Sequence, residues 1–578
     1  MATDQNQPAT PDSPSGPQGQ PGPVQTGSVS SDPSVDASEA DGDAPSFGIP
    51  RGQSVALGVC AAVCLMVPFI LWLTGSRSEM LENRAPTEMP ELSWSAVSDG
   101  SYFSQLETKM VETFPWRTDI IEDQAKFRWN VLGDSPNPDK VLLGRDDWMF
   151  YRRAVLEPCH MGDFVEPTVA EMLRVSRMAY AMGADPLTVV PPVKQAIYPE
   201  QMTSTLRDFA SCSFDAENRF RAALLETPFP RFVDAWAVLQ QEKDAGGQVY
   251  WTRDTHWNSL GAAVTGAAIM DNYLPDANAI DGLEYVRTLP YRGDIAILGA
   301  LQETEQTERW VLKRPKPIER NNFQLDYSVS DDASKVRELS VETREQKVEG
   351  LPMVDDLLLL GDSFRLNIRE MLAAFAYRFQ VVQWDRYQPS WLVDRVEEGA
   401  TLVLQSVDRL SDRRYLDRDL GDHMTYAVVE RFARDLRAGQ SIDVDAGTAD
   451  VTISSVDLDG AADEGMVKIP SSAREGISAD QPQAMLVVRV GGDLADPPEE
   501  ASIRLEADGA GVPDPQALSA EPIAPEGWAL HRTSDGAPFA IMVIDDSTTD
   551  VQINTLDGDP VTIEQAWVIT TADRATAR

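Results

Sequence analysis

Histidine and cysteine are scarce in this 578-residue chain, at four of each, and basic residues are outnumbered by acidic ones, 50 to 92. With so few histidines and cysteines there is no ligand cluster at zinc spacing. His160 beside Cys159 is therefore read as structural, with no metal and no cofactor expected. No Asp-x-Asp-x-Asp-Gly loop is present to hold calcium. The formal net charge of −42 excludes nucleic acid as a natural partner and favours solubility. The first 50 residues contain no Trp, Tyr, Leu, Lys or Arg and are rich in Pro, Ser, Gly and Asp. Such a stretch cannot bury enough apolar surface to offset its chain entropy, so residues 1–53 are expected to be a disordered tail.

Charge is absent in another sense from Ser54 to Thr74, "SVALGVCAAVCLMVPFILWLT". As a helix this run would be long enough to cross a hydrocarbon core of about 30 Å. It lies too far from the N-terminus for a cleaved signal peptide. The expectation is a single transmembrane helix over 54–74 at the plasma membrane, N-terminus cytoplasmic and the bulk of the chain extracytoplasmic. Flanking Arg51, Arg77 and Arg84 do not by themselves set that orientation. Cys60 and Cys64 fall inside the run. Cys159 and Cys212 are the only pair beyond it, as one disulfide or as two unrelated thiols.

What is abundant is alternation. "KVLLG" and "WMFY" read as two short strands joined by Gly144-Arg145-Asp146-Asp147. Further on, helical runs such as "TVAEMLRVSRMAYAMG" and "NSLGAAVTGAAIMDNYL" alternate with short apolar runs, "DPLTVV", "DDLLLLGDS", "FQVVQW" and "GATLVLQSV". That pattern predicts an α/β domain with a largely parallel sheet over residues 79–435, with 301–350 as an irregular insertion. From residue 440 to 578 short β-rich runs separated by Gly, Asp and Pro predict a β-sandwich, possible seat of carbohydrate binding. It carries 26 acidic and 7 basic side chains, a net of −19. Trp528 and Trp567 there are assigned to packing over sugar stacking, and His423 and His531 to the surface.

Two fragments carry chemistry. In "DLLLLGDSF" an apolar strand ends in Gly361-Asp362-Ser363 and opens a helix, which places Ser363 where ligand sites of open α/β sheets lie. Backbone N–H groups at that point, Ser363's own first among them, can hold an oxyanion. In "YWTRDTHWN" the alternation of an extended segment turns Asp254 and His256 to one face. An aspartate beside a histidine can fix its tautomer and steady the imidazolium formed when it accepts a serine proton.

Together the fragments resemble the SGNH-hydrolase-like alginate O-acetyltransferases of the AlgJ/AlgX type, in which Asp-x-His-Trp precedes Gly-Asp-Ser. "ENR", "FPWR", "GRDDWMFY", "VVPPVKQAIYPE" and "VDAW" follow in the family's succession, and the likeness covers roughly residues 79–415. It implies an SGNH-like fold, Ser363 as nucleophile, His256 as base and Asp254 as its orienting acid, with Trp257 a candidate at the substrate. It also implies a polysaccharide acceptor and a membrane-bound O-acyltransferase supplying acetyl. The chain departs from the family at Asp147, where the turn has glycine, and at Asp408-Arg409, where it has Glu-Arg. The acidic β-domain makes a neutral or amino-sugar polymer the expected acceptor. An acetyl esterase using the same triad and a non-catalytic glycan-binding scaffold are the alternatives.

Overall fold

The computed structural model describes residues 92–312, 324–328, 340–345, 352–416, 419–458, 464–471, 484–491, 502–508, 528–529, 531–532, 538–544, 548–555 and 560–574, with residue 89 and parts of 59–76. The expected disordered tail lies outside these residues. So does much of the run 54–74. Among the described residues no helix is long and apolar enough to cross a membrane, so the expected span has no counterpart there. The chain divides into two units, Met1–Ile70 and Leu71–Arg578, and the α/β and β-rich parts both lie within the second.

That unit begins with helices α1 (Ser101–Glu112) and α2 (Arg117–Lys126), followed by a two-stranded hairpin, β1 (Val141–Leu143) and β2 (Met149–Tyr151). Asp146 and Asp147 turn this hairpin at φ 49° and 62°, a left-handed backbone that glycine adopts freely. Helices α3 (Arg152–Met161) and α4 (Val165–Ala181) lead into β3 (Asp185–Val189). Then come α5 (Ser211–Glu226), β4 (Phe232–Val233), α6 (Ala235–Asp244), capped by the Asp234 carboxylate, and α7 (Ser259–Tyr273), capped by Asn258. A ribbon of β5 (Leu283–Tyr291) and β6 (Glu305–Leu312) stands apart, with α8 (Asp294–Leu298) between them. The remainder of the domain is β7 (Gln324–Ser328), β8 (Ser340–Glu345), β9 (Val354–Gly361), α9 (Arg365–Ala373), β10 (Ala376–Gln383), α10 (Pro389–Glu397), β11 (Thr401–Gln405) and α11 (Asp419–Ala433).

The central sheet has the order β4-β3-β11-β9-β10-β8-β7. Strands β4, β3, β11, β9 and β10 run parallel, whereas β8 and β7 add antiparallel at one edge. The sheet is thus mixed, and across the described chain antiparallel pairings outnumber parallel ones, which corrects the largely parallel expectation. The irregular insertion expected at 301–350 is corrected too, since β6, β7 and β8 lie in it. Their sequences, "EQTERWVL", "QLDYS" and "SVETRE", are too polar to show as buried strands. By contrast Leu357–Leu360 in β9 are wholly buried, as a central strand covered on both faces requires.

The β-rich part consists of a six-stranded and a four-stranded sheet. It is not loosely tethered. Val451, Ile453, Val487, Phe539, Trp567 and Ile569 belong to the same buried cluster as the α/β core. Trp567, 3% exposed, is a packing residue. His423 and His531, expected at the surface, are half-buried at this junction, where each ring packs against Phe539.

Candidate active site

Gly361, Asp362 and Ser363 carry the chain off the C-terminal end of β9, at the middle of the seven-stranded sheet, into α9. Gly361 has no room for a side chain: a Cβ there would meet Gln405 Oε1 at 2.6 Å and Arg365 Cβ at 2.9 Å. Asp362 is structural. Its buried carboxylate accepts from Phe364 N (2.9 Å), Gln405 Nε2 (2.8 Å) and Val407 N (2.6 Å), which ties the turn carrying Ser363 to the chain leaving β11. Ser363 is left half-buried, with its hydroxyl free to face a neighbour.

That neighbour is His256. Its Nε2 lies 2.8 Å from Ser363 Oγ, and its Nδ1 lies 2.8 Å from Asp254 Oδ1. The segment holding Asp254 and His256 is a tight loop, where a strand end was expected, closed by a bridge between Tyr250 and Trp257. Asp254 makes the loop: Oδ1 also accepts the backbone N–H of His256 at 2.8 Å, so one oxygen grips both the residue and its ring. Oδ2 accepts from Tyr291 OH and from Asp294 N, each at 2.8 Å. The carboxylate is 1% exposed and fully engaged. Gly293 permits this approach, because a Cβ there would stand 2.1 Å from Arg253 O and 2.9 Å from Asp254 Cβ.

The electrostatics follow. Burial disfavours the imidazolium, but the hydrogen bond and charge of Asp254, with Asp294 beyond, outweigh it and raise the His256 pKa above its ordinary 6.5. Burial likewise opposes ionisation of Asp254, yet the His256 bond and two backbone N–H groups hold its pKa below 3.8. Asp294 is raised, by burial first and then by the charge of Asp254. Its Oδ2 sits 3.6 Å from His256 Nδ1 and accepts from Thr255 Oγ1 at 2.5 Å. Asp254, His256 and Asp294 offer three ligand atoms close together, but the Asp254–His256 hydrogen bond already occupies the atoms a cation would need.

Other sequence candidates fall elsewhere. Trp257, expected at the substrate, is wholly buried. Its indole N–H donates to Phe364 O at 3.2 Å and its ring meets Phe364 edge to face, so it fixes the segments carrying His256 and Ser363 against each other. Cys159 and Cys212 form a disulfide joining α3 to α5. Asp408, wholly buried, accepts from Val193 N at 3.0 Å, and Arg409 pairs with Glu157. Burial pushes the Asp408 carboxyl up to about 7. The Ser363 N–H has no hydrogen-bond partner among the described residues, which leaves it open to an oxyanion. Sequence reasoning missed Tyr291, Asp294 and Lys194. Tyr291 and Asp294 follow no motif. Lys194 stood in the quoted "VVPPVKQAIYPE" without a role.

Residues 141–334 match the family model described as the SGNH hydrolase-like domain of the acetyltransferase AlgX. Over these residues the chain is similar to the AlgJ/AlgX-type family, which the relatives that follow also support. The probable alginate O-acetylase AlgJ of Pseudomonas fluorescens is 25% identical over 244 residues, 41% of this chain and 59% of that protein. The same-named protein of Pseudomonas putida is 27% identical over 162 residues, covering 40% of its length. The chain therefore spans less than two thirds of the curated relatives it matches. Among solved structures, the O-acetyltransferase domain of Pseudomonas putida AlgJ covers 47% of this chain and 92% of its own length, at 17% identity and a TM-score of 0.29. The AlgJ/AlgX-type match takes in Asp254 and His256, and Ser363 lies beyond the matched residues.

Proposed function

We propose that this chain is an O-acetyltransferase that carries acetyl as an ester of Ser363 to a hydroxyl of a polysaccharide. The unbroken chain Asp254–His256–Ser363, two contacts of 2.8 Å at the C-terminal edge of a central strand, carries this reading. The family match and relatives named as alginate O-acetylases support it. In the first half, Ser363 Oγ attacks the acetyl carbonyl while its proton passes to His256 Nε2. The proton then goes to the leaving group as that bond breaks. In the second half an acceptor hydroxyl gives its proton to His256 and attacks the serine ester, and Ser363 recovers the proton. The Ser363 N–H and the start of α9 would hold the developing oxyanion.

The uncharged run Ser54–Thr74 supports attachment to the plasma membrane, and the Cys159–Cys212 disulfide supports a domain outside, where a membrane-bound O-acyltransferase would supply acetyl. The test is acetyl turnover by the detergent-solubilised full chain from an activated acetyl ester, beside Ser363→Ala, with and without glycans. Turnover lost in the variant and diverted from acetate to glycan supports the transferase. Acetate release indifferent to every glycan means an esterase, and equal inertness of both proteins means a scaffold.

A further inference from the structure

The β5–β6 ribbon carries a charge arrangement that packing does not call for. Arg287 and Arg309 are direct cross-strand partners, both exposed. Among the described residues neither has an ion pair, and neither has Arg292, just past the end of β5. Two like charges directly opposite across antiparallel strands repel. In a chain with 92 acidic side chains a relieving carboxylate is easily supplied, yet the nearby Glu308 turns to Trp310 Nε1 at 3.1 Å.

The ribbon's geometry aims this pair. Residues in register and every second residue project from the same face, so Arg287, Leu289 and Tyr291 share a face with Arg309, Thr307 and Glu305. The base of that face lies on the catalytic loop. Tyr291 OH donates to Asp254 Oδ2 at 2.8 Å, Thr307 Oγ1 accepts from Trp251 Nε1 at 2.7 Å, and Glu305 accepts from Thr252 N at 2.9 Å. Arg287 is four residues from Tyr291, about 13 Å along an extended strand. The arginine pair thus stands along the ribbon from the Tyr291 contact with Asp254, a few sugar units in length.

We propose that this face of the ribbon is the acceptor-binding arm, and that Arg287 and Arg309 take the anionic groups, carboxylate or phosphate, of an acidic glycan whose hydroxyl is presented to Ser363. The guanidinium fork matches both groups in bidentate geometry. The proposal rests on the acetyltransferase reading above and replaces the neutral acceptor expected from the acidic β-domain, because local charge at the site outranks charge elsewhere on the surface.

The test measures binding of three oligosaccharides of equal length to the full chain by calorimetry: an oligouronate, a phosphodiester-bearing oligosaccharide and a neutral cello-oligosaccharide. Arg287→Gln, Arg309→Gln and the double variant are compared with Arg437→Gln, an exposed charge-matched control, and acetyl transfer to each acceptor is followed in parallel. Binding of an anionic oligosaccharide that weakens roughly tenfold for each ribbon arginine removed, with ester turnover to water unchanged, is the expected result. Which anionic ligand wins identifies carboxylate or phosphate as the recognised group. Preference for the neutral ligand, an equal effect of Arg437→Gln, or arginine-dependent binding only to anionic lipid vesicles would overturn it. Loss of ester turnover in the wild type would sink the acetyltransferase reading instead, and the binding data would still judge the arm.

Discussion

The ammonium of Lys194 donates to the backbone carbonyl of Asp254 at 2.8 Å, to that of Thr252 at 3.0 Å and to that of Met149 at 2.5 Å. It is 3% exposed and lies over the rings of Trp148 and Phe150, 5.5 and 5.1 Å from their centroids. One buried cation therefore clamps the β1–β2 hairpin to the loop that presents Asp254 to His256. Lys194→Met removes this shared donor, with Thr252 O keeping its bond from Met149 N, at about 1–3 kcal/mol for each carbonyl left unpaired. Lower thermal stability and a fall in kcat exceeding any change in KM are expected, since the clamp orients the loop and touches no substrate. Burial lowers the lysine pKa from 10.5 to about 8. The folded chain then binds fewer protons than the unfolded one between these values. This group's contribution to stability therefore rises with pH across that window, and the slope should vanish in the variant.

The pH profile of ester turnover tests the triad. In the proposed mechanism neutral His256 is the base, so the rate is expected to rise as pH increases through its pKa, which Asp254 holds above 6.5. Asp254→Asn removes the charge that raises it and the acceptor that fixes the tautomer. The acid limb should move to lower pH while the plateau drops by roughly 10³–10⁴. Tyr291→Phe removes one donor from Asp254 Oδ2 and leaves the Asp294 N–H in place, so about a tenfold loss with a small shift is expected. A profile in Asp254→Asn that keeps its limb would show that the aspartate does not control His256.

How much of this was legible can be judged residue by residue. Ser363 was visible because an apolar strand, a tight turn and a helix start are each written locally, in period and in glycine. His256 and Asp254 were visible through spacing. Their joint orientation came from a loop, however, because the carboxylate bites its own chain, and no periodicity encodes that. Trp257 misled because an aromatic beside a catalytic histidine looks the same whether it faces ligand or core. Polar β7 and β8 were hidden by their lack of alternation. Tyr291 reaches Asp254 across 37 residues and Lys194 across 60, contacts that only the folded topology creates.

Asp147 stands in left-handed backbone at φ 62° with its side chain mostly exposed and only a distant partner, Arg253 at 3.7 Å. The family's glycine at that turn would relieve the conformation. Asp147→Gly is expected to stabilise the protein by up to about 1 kcal/mol, because removing the Cβ relieves more strain than the added freedom of the unfolded chain costs. Thermal melts read the difference, and an unchanged or lower midpoint would mean that the Arg253 contact matters more than the backbone.

The junction between the two domains yields the last prediction. Phe539 is wholly buried and stacks on Tyr426 of α11, with ring centroids 4.2 Å apart and planes at 17°. Arg177 of α4 pairs with Asp573 at 2.6 Å, Arg489 reaches Glu430 of α11 at 3.5 Å, and Thr448 Oγ1 donates to Pro228 O at 2.6 Å. An apolar contact laced with charge pairs in this way should make the β-rich part melt with the α/β domain, where a tethered module would melt alone. Wild-type calorimetry is expected to show one transition for both. Phe539→Ala opens a cavity at the junction, worth about 3–5 kcal/mol, and should lower that transition or split it in two. Two separate transitions already present in the wild type would mean that the β-rich part is an independent module.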